Sequence, residues 1–254
     1  MVLESGPASR DRNYWLIVLT MCVGFCVYFI YDWQVGYPAA NRKSGTEWLQ
    51  QNIPGAQVTE EMFDERPSKE MFEALRLAPP TRPDEVHERL GGPPALRRQN
   101  GPDELVEYFP SLYGCALVTI RGGVVAANME WRDWKYPRNK IDGQFHFAIL
   151  TGVLSLYFLY RVYKAATLRA VIDDTGMTFG GRRIPFDAMR SLRDYSPKGW
   201  VDLYYNVGAG DVRLRIDREK ILKFTEIIDR LCEARGFPHP IREFEAKKAA
   251  TEAS

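Results

Sequence analysis

The chain of 254 residues is 45% hydrophobic and 26% charged, with a formal net charge of +1. Such a length holds one or two modest domains besides membrane segments, and the balanced charge, with no basic block interleaved with aromatics, speaks against a nucleic-acid partner. Cys22 and Cys26 lie in an apolar run, Cys115 and Cys232 stand alone, and His87, His146 and His239 are scattered, so the sequence offers no disulfide framework, no zinc set and no cofactor site.

Residues 1–13 read as a short polar tail. Tyr14–Tyr31 then runs 18 residues without a charge. At about 1.5 Å per residue it reaches about 27 Å, near the thickness of a bilayer's hydrocarbon core. Tyr14 and Trp15 at one end, and Tyr28, Tyr31 and Trp33 at the other, suit interfacial aromatic belts. A cleaved signal peptide is the rival, but the run is long for one and Tyr37-Pro38-Ala39-Ala40 is a poor cleavage site. A retained transmembrane helix is expected.

The segment 32–144 has 14 basic and 17 acidic residues and reads as a small α+β region. Ser44 with Glu47 three residues on is a capping-box pattern. Ser68 can cap a helix that places Met71, Phe72 and Leu75 on one face, and Thr81 a third helix ending at Gly91-Gly92. Tyr113–Ile120 and Val124–Trp131, joined by Arg121-Gly122-Gly123, look like a hairpin. A local echo flanks this region: Asp32-Trp33, Tyr37-Pro38 and Asn41 on one side, Asp133-Trp134, Tyr136-Pro137 and Asn139 on the other. The echo is either a paired collar for a ligand or two sets of interfacial anchors with turn formers.

Phe145–Tyr160, FHFAILTGVLSLYFLY, again holds no formal charge and ends at Arg161. An amphipathic core helix would show a polar stripe, and this run has none. A second transmembrane helix is expected, with His146 an interfacial group rather than a proton relay. Thr151, Gly152 and Ser155, with Cys22, Gly24 and Cys26 on the first run, form small-residue faces through which the two helices could pack, and a homo-oligomer is among the partners considered.

Two spans put both termini on one side. Arg161, Lys164 and Arg169, with 18 basic against 14 acidic residues in 161–254, favour a cytoplasmic C-terminus, while Arg132, Lys135, Arg138 and Lys140 weigh the other way. The expectation is a two-span inner-membrane protein with cytoplasmic termini and an extracytoplasmic 32–144 segment.

The rest reads as five or six short strands and one helix. Leu168–Asp173 and Met177–Phe179 flank a turn at Asp173–Gly176. Arg182–Phe186 and Arg190–Tyr195 follow. The alternations 200–207 and 212–217 flank Gly208–Asp211. Asp217 is placed to cap a helix over 218–235 with Ile221, Phe224, Ile228 and Leu231 on its inner face and Gly236 as its stop. Residues 238–254 read as a charged, frayed tail. Expected overall is a membrane α-helical hairpin plus α+β, its C-terminal part (165–237) a small antiparallel β-barrel or sheet capped by one helix.

The stretch LRAVIDDTGMTFGGRRIPFDAMRSLRDYSPKGWVDLYY resembles the bacterial pleckstrin-homology-like domains of membrane proteins, and the whole layout is similar to two-span membrane proteins of planctomycete-type bacteria. The resemblance implies a module that binds lipid head groups, peptides or proteins and carries no catalytic apparatus. Arg182, Arg183, Arg190, Lys198 and Trp200 are its candidate binding residues, with an anionic lipid head group or a protein as the partner. No phosphate-cradling glycine loop, nucleophile elbow or His-Glu-x-x-His pattern occurs. The expected function is that of a non-catalytic, membrane-anchored interaction or scaffold protein. The alternatives are an oligomeric channel or transport accessory subunit, or an enzyme with a dispersed site in the middle segment.

Overall fold

A computed structural model describes residues 2–64, 66–208 and 210–252. The chain opens with β1 (Leu3–Ser5) and α1 (Ser9–Tyr31), passes through a π-helical turn at Asp32–Gly36, and continues as α2 (Tyr37–Asn52). Two short helices, α3 (Lys69–Leu77) and α4 (Pro83–Leu90), lead to β2 (Leu96–Gln99), β3 (Glu104–Pro110), β4 (Gly114–Arg121) and β5 (Val124–Asp133). The long α5 (Arg138–Thr167) precedes β6 (Ala170–Ile172), β7 (Gly176–Phe179), β8 (Arg182–Pro185), β9 (Met189–Ser196), β10 (Trp200–Asn206) and β11 (Asp211–Asp217). The helices α6 (Phe224–Arg235) and α7 (Pro240–Glu252) close the chain. The class is α+β with antiparallel sheets throughout.

Among the described residues, two helices are long and apolar enough to cross a membrane: the continuous Ser9–Asn52, and Arg138–Thr167. No residue of α1 is buried, and Ile17, Val27, Val153 and Leu156 are each 60% exposed or more. The chain divides into two compact units, Met1–Val23 with Gly152–Ser254, and Gly24–Thr151.

In the second unit, β2-β3-β4-β5 form a meander. The hairpin expected from Gly122-Gly123 is present, and two further strands precede it. Ser68 does cap α3, its hydroxyl accepting from the Met71 amide at 3.2 Å, and Phe72 and Leu75 are buried against Val86, Leu90, Phe109 and Val118. Ser44 and Thr81 are corrections. Ser44 lies inside α2, because the helix runs straight on from α1, and the cap of α4 is Arg82, with Pro83 filling the first-turn position that needs no N–H. The Thr81 carbonyl instead accepts from Val125. Helix α2 lies close to its neighbours at Gly45, where a Cβ would come within 2.4 Å of Phe63 and 3.0 Å of Trp134.

The echoed motifs meet inside this unit. Tyr37 and Tyr136 stack with centroids 4.0 Å apart and planes 2° from parallel. The fully buried Asn41 donates to the carbonyls of Leu112 and Tyr136 and accepts from the Tyr136 amide, so both faces of its amide hold α2 to the β3–β4 turn and the β5–α5 connection. Trp134 donates to the Ser111 carbonyl at 2.7 Å. Four of the echoed residues, Tyr37, Asn41, Trp134 and Tyr136, are therefore engaged in tying the region together. Contacts between α1 and α5 include Phe29 with Phe147 and the Cys26 thiol donating to the Ala148 carbonyl at 3.4 Å in this unit, and Trp15 with Phe158 in the other. A Cβ at Gly24 would meet nothing within 4 Å, so that glycine does not mark the expected close approach.

Among the described residues the first unit has seven strands, in sheets β1-β6-β7-β8 and β9-β10-β11. One more strand than expected comes from the opposite end of the sequence. Leu3, Glu4 and Ser5 pair with Ile172, Val171 and Ala170. The segment after them continues the contact: the Ala8 amide donates to the Lys220 carbonyl, the Leu222 amide to the Gly6 carbonyl, and the Lys223 amide to the buried Ser5 hydroxyl. This corrects the expected start of the terminal helix. Backbone groups at 220–223 are bound by the N-terminal segment, so α6 starts at Phe224, not after Asp217. Ile221 is still fully buried, but from the bridge it makes with Pro7. From the helix proper, Phe224, Ile227, Ile228 and Leu231 join Ile172, Met177, Leu203 and Ile216 in one core.

Two further expectations change. The second helix does not stop with the apolar run at Tyr160: α5 stays helical to Thr167, leaving Leu168 and Arg169 before β6. Residues 240–252, expected to be frayed, form α7, tied down by Phe244 against Tyr195 and by His239 Nε2 2.9 Å from Asp229.

Candidate functional site

Within the first unit, a cleft of about 630 Å³ opens where α1 and α5 leave their apolar stretches and the sheets begin. Trp15, Tyr157 and Tyr160 bring aromatic walls from the helices, and Arg161, Lys164, Arg182, Arg215 and Lys220 bring cations. The spacing explains the grouping on α5: residues three and four apart share a helix face, so Tyr157, Tyr160, Arg161 and Lys164 form one surface. The Arg161 guanidinium carbon lies 4.1 Å from the Trp15 ring centroid, and its Nη1 donates to the Tyr157 hydroxyl at 3.2 Å. Lys164 Nζ lies 5.2 Å from the Tyr160 ring centroid. Arg182 Nη1 donates to the Tyr205 hydroxyl at 2.7 Å.

Carboxylates pair with some of these cations and not with others. Arg215 is held by Asp202 and Lys220 by Asp217, and outside the cleft Arg183 is held by Asp173, Arg213 by Asp202, and Arg230 by Asp174 and Glu233. Among the described residues, Arg161, Lys164 and Arg182 have no carboxylate within salt-bridge distance. Asp11, the acidic residue of the cleft wall, accepts from the Trp15 indole at 3.1 Å.

The five residues expected to bind a ligand are not brought together. Gly180 and Gly181 turn the chain with φ of 55° and 82°, the left-handed pair a two-residue hairpin loop needs. Arg182 and Arg183 then stand next to each other in β8, and neighbours in a strand point to opposite faces. Arg182 reaches the cleft; Arg183 turns to Asp173, Thr175 and Thr178. Hydrogen bonding from Arg183, then from the Thr175 amide and hydroxyl, holds the Asp173 carboxyl well below the usual range. Arg190 and Lys198 are exposed, on β9 and in the turn after it, and do not line the cleft. Trp200 is half-buried, with the Arg215 guanidinium carbon 4.6 Å from its ring centroid. Sequence reasoning used Arg161 and Lys164 for orientation only. Their place after an apolar run and their spacing on one helix face were the signals that could have marked them; nothing local pointed to Lys220 or Asp11.

In the second unit Glu107, 1% exposed, is a buried carboxylate with Arg97 Nε at 3.0 Å on one oxygen and His87 Nε2 at 2.8 Å from the other. Among the described residues no group of three or more His, Cys, Asp or Glu is arranged to hold a metal ion. Cys115 and Cys232 are both buried, and burial raises both thiols, that of Cys232 to about 11.

No protein-family model, no curated protein and no solved structure matches this chain. Fold and cleft define a class all the same: an α+β protein with two long apolar helices and a seven-stranded module fed by both ends of the chain.

Proposed function

We propose that the protein is a non-catalytic, membrane-anchored interaction protein. In this reading α1 and α5 are a transmembrane hairpin, the 32–144 region lies outside the cytoplasm, and the module formed by residues 3–8 and 168–237 is a pleckstrin-homology-like unit that docks a partner protein at the inner face. The observation that carries it is the pairing of β1 with β6. A strand before the first apolar helix shares a sheet with strands after the second, which requires an even number of crossings between them. Sheets of four and three strands with a following helix also fit the resemblance seen in the sequence. The surplus of basic residues in 161–254 supports the cytoplasmic side.

Topology is tested by thiol labelling of intact cells. The native Cys115 and Cys232 are too buried to report, so Leu77→Cys and Leu222→Cys, at side chains 84% and 67% exposed, are the reporters. Labelling of position 77 with protection of position 222 is expected; the reverse pattern inverts the protein. The interaction is tested by in-membrane cross-linking and pull-down with the full chain. A complex lost on deleting 168–235 supports docking through the module, and a complex that survives the deletion moves the interaction to the middle segment.

A further inference from the structure

We infer that the cleft between the helix ends and the module is a binding site for the phosphate of an anionic phospholipid, with the head group on Arg161, Lys164 and Arg182 and the acyl chains along the exposed apolar faces of α1 and α5. Three observations converge. Of the cleft's five cations, Arg215 and Lys220 are held by Asp202 and Asp217, whereas Arg161, Lys164 and Arg182 have no carboxylate partner among the described residues. A guanidinium presents a planar fork of donors matched to phosphate oxygens, and two guanidiniums and an ammonium together can satisfy a phosphate from several sides. The walls are aromatic: Trp15, Tyr157 and Tyr160 carry an apolar body and a polar tip, the side chains suited to the level of lipid head groups.

Position chooses the lipid over a soluble phosphate. Arg161 is the first charge after Phe145–Tyr160, and Trp15 lies one residue into Tyr14–Tyr31, so the cleft sits where both apolar stretches end. A head group entering it leaves its acyl chains beside side chains such as Leu156, 69% exposed, and Ile17, 62% exposed. The N-terminal strand makes the site a fixed one. The Ala8–Lys220 hydrogen bond holds the start of α1 to the module, so Trp15 on α1 and Arg182 on β8 are carried by one folded unit. The inference rests on the proposed membrane anchorage but not on the proposed protein partner.

The test is native mass spectrometry of the full-length chain in detergent, titrated with phosphatidylglycerol or phosphatidylcholine, with glycerol phosphate as the soluble competitor. Expected is one retained phosphatidylglycerol, weakened by salt. Arg161→Ala, Lys164→Ala and Arg182→Ala together should reduce its affinity roughly a hundredfold, about fivefold per cation. Arg190→Ala with Lys198→Ala, which removes two exposed cations outside the cleft, should leave it unchanged. Lys164→Glu is a second variant, at a side chain whose ammonium lies over the Tyr160 ring, and a loss of tenfold or more is expected of it even if the triple variant fails to fold. Displacement by millimolar glycerol phosphate would identify a soluble phosphate site and overturn the lipid assignment. Equal retention of the two lipids, or equal loss from the cleft and control variants, would overturn the site itself. If the chain leaves membranes in alkaline carbonate, the anchorage fails; if it stays and the lipid titration is negative, the lipid inference alone fails.

Discussion

Phe224→Ala is expected to cost the first unit about 3–5 kcal/mol, the usual range for truncating a buried aromatic side chain. Phe224 is 4% exposed and opens α6, where it joins Ile227, Ile228 and Leu231 in covering the core residues of both sheets. A domain is stable by only about 5–15 kcal/mol, so this one change removes a large share. A fragment beginning near residue 165 is the wrong material for the measurement, because it lacks β1 and the Ser5, Gly6 and Ala8 contacts to 220–223. Hydrogen exchange on the full chain is the suitable readout. Slowly exchanging amides around Leu203 and Tyr205 should speed up by two orders of magnitude or more, while those around Phe109 and Ala116, in the other unit, should not move. No change at Leu203, or the same acceleration in both units, would show that α6 is not the cover of this core.

What could be read in the sequence follows the range of the interactions. The alternation in 200–207 and 212–217 registers directly as β10 paired with β11, and the glycine pairs at 122–123 and 180–181 form the turns of the hairpins they interrupt. Ser68 capped the helix it was expected to cap, because the bond from its hydroxyl to Met71 closes within three residues. Failures came where a distant segment took over a local group. Asp217 has the chemistry of an N-cap, and its carboxylate does accept from the Glu219 amide at 2.9 Å. The helix still waits until Phe224, since Gly6 and Ala8, more than 200 positions away, bind the backbone of 220–222. Three residues such as Leu-Glu-Ser carry no strand signal of their own, so only the pairing with Ala170–Ile172 makes them β1.

The candidate site was legible in chemistry and misread in geometry. Gly180-Gly181-Arg182-Arg183 has the look of a basic loop, but both glycines are spent on the turn and the strand pleat sends the two arginines to opposite faces. The cations that converge with Arg182 come from α5, about 20 residues earlier, and become its neighbours only because α5 remains helical to Thr167 and β6 follows after two residues. The echoed Tyr-Pro and Asn motifs fared differently. They do come together, and the stacking of Tyr37 on Tyr136 and the full use of Asn41 account for the residue types at those positions without a ligand.

Glu107 is where the middle region stands to lose most from removing partners. Its carboxylate is buried under the β2–β3 pair and takes one partner on each oxygen: Arg97, directly opposite it across the strands, and His87 from α4. The exposure is lopsided, with the Glu107 side chain 2% exposed against 56% for Arg97 and 21% for His87. Removing the carboxylate leaves two groups that water can reach, while removing both partners strands a charge that water cannot reach. Glu107→Leu should therefore cost no more than about 1.5 kcal/mol, in the range for apolar replacements of similar volume. Arg97→Leu alone should cost about 1–3 kcal/mol, since His87 remains. Arg97→Leu with His87→Leu should cost about 3–5 kcal/mol, the range for breaking a buried ion pair from one side. Adding Glu107→Leu to that double variant should restore most of the loss, the sign of a coupled cluster and the opposite of additive damage. Hydrogen exchange at Phe109 and Ala116 measures each step, and a double variant no less stable than Glu107→Leu would mean that the buried carboxylate does not depend on these partners.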